Sequence, residues 1–144
     1  MRPSLALPLL PLLLAGCDSA TDSTTCLRAT VSYAGGASGP TYVKVAGSDG
    51  SLYLAHQATS PAAVAADPPR VCFASPDGDV ALTAVAWIDR SGGAPAGTCV
   101  DLTADVCAPA PADPQGSGTS VLHPGESNEV TVVVTDPVAP GAGG

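Results

Sequence analysis

The sequence predicts an all-β fold, an antiparallel β-sandwich of about seven strands. Three observations carry that expectation. Apolar side chains recur at every second position in several short segments, turn-forming residues separate those segments, and no stretch sustains a 3.6-residue period. With 16 Gly and 15 Pro in 144 residues, turns are dense enough to punctuate a chain of short strands.

Leu27, Ala29 and Val31 alternate with Arg28, Thr30 and Ser32, which is the pattern of a half-buried strand. Tyr42–Val45 and Ser51–Ala55 repeat it around Gly47-Ser48-Asp49-Gly50, and Asp-Gly is a strong tight-turn signal, so a hairpin is expected there. Both leucines of the second arm, Leu52 and Leu54, are expected to face inward. Pro61–Ala66 is the best helical segment and stops at Asp67-Pro68-Pro69, which limits it to one or two turns. Arg70–Ala74 reads as a short strand. Asp79–Asp89 reads as a central one, because Val80, Leu82, Ala84, Ala86 and Ile88 share one face while Val85 and Trp87 occupy the other. Thr119–Leu122 and Glu129–Thr135 complete the set, after a long loop over Ser91–Gly118.

The N-terminus carries an address. One charge, Arg2, precedes an apolar run of about a dozen residues, too short for the roughly 20 that a spanning helix needs. The run ends in Leu14-Ala15-Gly16-Cys17, which resembles the lipobox of bacterial lipoprotein precursors. That resemblance implies cleavage between Gly16 and Cys17 and lipid on the Cys17 sulfur. Acyl chains contribute about 0.8 kcal/mol per buried methylene, so two or three of them make a durable anchor. The expected organisation is a signal peptide over 1–16, the lipidated Cys and a flexible tether over 17–25, the sandwich over 26–136 and a disordered tail over 137–144. The expected location is the cell envelope, at the inner or outer membrane, with the domain facing the periplasm or the exterior.

Charge and cysteines fit that compartment. Loss of Arg2 with the leader takes the formal net charge from −8 to −9, and such acidity disfavours nucleic acid, whose phosphates require clustered Lys and Arg. Of five cysteines, Cys17 is assigned to lipid, and Cys26, Cys72, Cys99 and Cys107 remain as an even set for an oxidising space. Three pairings are possible; Cys26–Cys72 and Cys99–Cys107 are favoured, at about 4 and 2.6 kcal/mol of loop entropy. No C-x-x-C spacing supports zinc.

Residues 76–136 show an Asp-Gly turn, a strand ending at Asp89, a Gly-rich stretch at Ser91–Gly93 and a closing strand of alternating Val from Val130. This resembles transthyretin-like or carboxypeptidase-regulatory-like modules of secreted bacterial proteins. The resemblance implies a transthyretin-like or immunoglobulin-like sandwich that binds, spaces or stiffens without chemistry of its own.

Three groups of side chains are candidates for a site. Asp89, Ser91, Asp101 and Asp105 are the oxygens that a calcium ion would draw on. Asp89–Gly93 offers one carboxylate beside Arg90, short of the usual six to eight donors, so these read as solvated loop acids and no metal is assigned. Tyr42, Lys44 and Tyr53 alternate onto one face of the hairpin and form an expected ligand face for sugars or protein. His56 and His123 are the two histidines, each beside a strand end, with no hydrolase motif around them. The function expected is that of a membrane-anchored, non-enzymatic binding or structural lipoprotein without a cofactor. Its partners are membrane lipid through Cys17 and an envelope protein or polysaccharide. The competing reading is a small envelope enzyme or metal-dependent hydrolase using His56 or His123.

Overall fold

The computed structural model describes residues 23–90 and 108–138. Seven strands and one short helix follow in order: β1 (Thr24–Tyr33), β2 (Thr41–Gly47), β3 (Leu52–Ala58), α1 (Pro61–Ala66), β4 (Arg70–Ala74), β5 (Val80–Ile88), β6 (Gln115–Leu122) and β7 (Ser127–Val134). They make a sandwich of two sheets, with strand orders β4-β1-β7 and β3-β2-β5-β6. Every ladder is antiparallel except β1–β7, where the first and last strands run side by side in the same direction.

The predicted alternation sets the core. Leu27, Ala29 and Val31 of β1 and Val130, Val132 and Val134 of β7 meet Val43, Val45, Leu82, Ala84, Ala86 and Ile88 of the other sheet. Leu27, Val43, Val45, Val130 and Val132 are almost wholly buried. At about 1.5–3 kcal/mol per buried aliphatic side chain, this stripe is the main source of cohesion. α1 behaves as its sequence requires. The Ser60 side chain caps it by accepting from the Ala63 N–H at 3.1 Å, Pro61 opens it, and Val64 is its one buried residue.

Two boundaries depart from expectation. β1 begins at Thr24, inside the expected tether, because a cluster of hydroxyls holds it. The Ser75 hydroxyl lies 2.6 Å from that of buried Thr25 and donates to the Ser23 carbonyl. The Gly125 N–H donates to Thr25 Oγ1 at 2.8 Å.

β6 begins at Gln115, inside the expected loop, although Gly116-Ser117-Gly118 reads as a linker. The reason lies in β7. A Cβ on Gly116 would collide with the Val133 carbonyl, and one on Gly118 with the Thr131 carbonyl. Missing side chains here admit a neighbouring backbone. β6 and β7 thereby close one side of the sandwich, joined by paired Gln115–Thr135 backbone bonds of 3.1 and 3.2 Å. A bond from Ser120 Oγ to the Glu129 carbonyl at 3.0 Å adds to the closure.

Candidate ligand cleft at the open edge

The opposite side stays open. β3 ends one sheet and β4 the other, and each has a strand neighbour on one side only among the described residues. Between them lies a cleft of about 520 Å³. Tyr53, Leu54 and His56 line it from β3, Asp67, Pro68 and Pro69 from the link between α1 and β4, and Arg70 from the start of β4. The two prolines fix φ and make that wall stiff. The wall is also tied inward, because the Pro69 carbonyl accepts from the Ala29 N–H at 3.0 Å.

The sequence places Tyr53 beside Tyr42 and Lys44, and the structure corrects this. Val45 pairs with Leu54, but Ala46 pairs with Leu52, so Tyr53 is the extra residue of a β-bulge. A bulge rotates side chains relative to strict alternation. Leu52 therefore turns outward, 38% exposed, and Tyr53 swings to the cleft, its ring 5.2 Å from that of Phe73. The turn holds it there. The Tyr53 hydroxyl donates to Asp49 Oδ2 at 2.6 Å, and Asp49 Oδ1 accepts from the Ser51 N–H at 3.0 Å. The Tyr53 bond, with help from that backbone bond, lowers the Asp49 pKa; burial and the same carboxylate raise that of Tyr53. Only Gly50 in this turn takes a positive φ, 81°.

Tyr42 is not a ligand platform either. It lies directly opposite Trp87, stacks on it at 5.2 Å, and is 3% exposed. Burial, followed by the nearby Asp89 carboxylate, raises its pKa. What remains of the predicted face is a smaller groove of about 210 Å³ between Lys44, Val85, Trp87 and Pro109. The ring stack removed the platform.

The histidines are kept apart. His56 is half-buried in the cleft, and its side chain makes neither a hydrogen bond nor an ion pair with any described residue. His123 sits at the far end of β6, its Nδ1 3.1 Å from Asp79 Oδ1, and both side chains are largely exposed. Asp89 is buried at the end of β5, where its N–H donates to the Pro40 carbonyl at 2.9 Å. The carboxylate that organises this end of the molecule is Asp113, absent from the sequence-based candidates. Its two oxygens accept from the Arg90 and Ala110 N–H groups at 3.1 and 3.0 Å. Its only sequence signal is an acid next to a proline. Among the described residues no three His, Cys, Asp or Glu side chains are grouped to hold a metal.

Cys26 and Cys72 form a disulfide across directly opposed positions of β1 and β4. Gly16, Cys17, Ser91, Cys99, Asp101, Asp105 and Cys107 lie outside the described residues. No protein-family model, curated protein or solved structure matches the chain.

Proposed function

We propose that this is a lipid-anchored binding module of the bacterial cell envelope, which presents the β3–β4 cleft to an extended segment of an envelope partner. The observation that carries the reading is the inequality of the two sides: one long edge is closed by β6 and β7, and the other leaves two edge strands flanking a 520 Å³ cleft. β3 contains no charge and no proline, the usual guards of a sheet edge, so its backbone is suited to pair with an added strand. The lipobox supports the location. Six residues lie between Cys17 and Thr24, and the seven steps reach at most roughly 25 Å, which keeps the domain near the bilayer.

Two measurements test this. Mass spectrometry of the mature protein is expected to find an N-terminal, acylated Cys17; an unmodified thiol there rejects the anchor. Photo-crosslinkers at Ala55, exposed on β3, and at Val133, exposed on the closed side, test the cleft in intact cells. Discrete adducts from Ala55 alone are expected, and equal labelling from both positions rejects the cleft as the binding surface. His56 within the same cleft favours a hydrolase as the second reading; turnover of envelope esters or peptides lost in His56→Ala would establish it instead.

A further inference from the structure

Cationic side chains are scarce in this acidic chain, yet two of the described ones stand together. Arg28 of β1 and Arg70 of β4 are direct partners in the antiparallel ladder, so their Cβ atoms lie about 4.5–5.5 Å apart on the outer face of the three-stranded sheet. Both are exposed, and neither side chain makes a hydrogen bond or ion pair with any described residue. Like charges placed directly opposite destabilise a sheet. The Cys26–Cys72 disulfide lies two positions away on the same face and fixes the register that holds them side by side. Glu129 of β7 is the partner of Arg28 on its other flank, and no ion pair joins them. A groove of about 280 Å³ runs over this row, between Arg28, Arg70, Ser127 and Glu129.

We propose that Arg28 and Arg70 form an oxyanion site that binds the phosphate group of a phosphate ester. A phosphate group offers three acceptor oxygens around one centre, which two guanidinium forks can share more fully than the two oxygens of a carboxylate. Glu129, one strand spacing of about 4.8 Å further along, selects among esters. It repels a second anionic group and accepts a hydrogen bond from an ammonium or hydroxyl on the ester substituent. The row therefore reads as acid, base, base across β7, β1 and β4, matching a zwitterionic or neutral-tailed phosphate ester. The site shares Arg70 with the rim of the cleft, but it is read by phosphate binding rather than by partner capture, so the two proposals fail separately.

The test uses the full chain in neutral-detergent micelles, following the Arg28 and Arg70 Nε–H resonances by NMR. Inorganic phosphate and phosphoethanolamine are titrated against sodium chloride of matched ionic strength. Saturable shifts of both resonances are expected with the phosphates and not with chloride. Arg70→Gln and Arg28→Gln should each weaken phosphate binding by about tenfold or more. Glu129→Gln should tighten inorganic phosphate severalfold while reducing the preference for phosphoethanolamine, a reversal that lost structure would not produce. Nanodiscs of phosphatidylethanolamine or of a phosphate-free galactolipid separate the sources. If only the former abolishes the response to added phosphate, the ligand is a lipid headgroup; if the response survives in both, it is a free ester. Shifts reproduced by chloride, or a phosphate affinity unchanged in Arg70→Gln, would overturn the proposal.

Discussion

The two long sides of this sandwich are secured by different means. On the β6–β7 side, glycines at alternate positions let one backbone lie against another, and closure depends on atoms that are missing. On the β3–β4 side no such neighbour is found among the described residues, and the five-residue edge strand β4 is fastened to β1 by a covalent bond. A side closed by packing buries its backbone and presents little to a partner. A side held by a staple can remain open without fraying, and that is where the cleft lies.

This contrast can be broken most severely at the staple. Replacing Cys26 and Cys72 together by Ala removes a crosslink spanning 46 residues and should cost about 4 kcal/mol, read by urea denaturation. Hydrogen exchange should accelerate first in β4; uniform acceleration would show that the staple serves the whole fold instead. Next comes Gly118→Val on the closed side. Its Cβ meets the Thr131 carbonyl, so a loss of about 3 kcal/mol or more is expected, whereas Ala55→Val on the open side should stay within about 0.5 kcal/mol. Equal melting temperatures for the two variants would erase the distinction.

Asn128→Ala tests the turn that starts the closed side. The Asn128 side chain is buried, accepts from the His123 N–H at 2.8 Å, and donates to the carbonyls of His123, Glu126 and Cys26. Its removal leaves these groups unmet and should cost about 2 kcal/mol in thermal melts. The smallest effect is at the hairpin turn bordering the cleft. Asp49 is held below its ordinary pKa of 3.8, so its contribution is present above that value and fades as pH falls through the lowered one. Tyr53→Phe should move the Asp49 midpoint upward toward 3.8 in an NMR titration; an unmoved midpoint would assign the shift to the Ser51 N–H instead.

Much of the fold was legible because strand alternation is a local property. The inward sets of β1, β5 and β7, the Asp49-Gly50 turn and the short helix α1 follow from spacing within short segments, whereas Cys26–Cys72 was only the favoured one of three pairings and joins residues 46 apart. The site was less legible. Regular alternation on the two hairpin arms assigns Tyr42 and Tyr53 to one face, but a bulge in the hairpin sends one to the cleft, and Trp87 on the neighbouring strand buries the other.

Sequence by itself determined which residues form strands and which faces turn inward, because a period of two is written along the chain. Tertiary structure alone decided that Gly116-Ser117-Gly118 is a strand and that Arg28 stands beside Arg70. It also decided that the β3–β4 edge, not the aromatic face, is left open. Each of these depends on backbones far apart in the chain meeting at a few ångströms, and no local pattern encodes such a meeting.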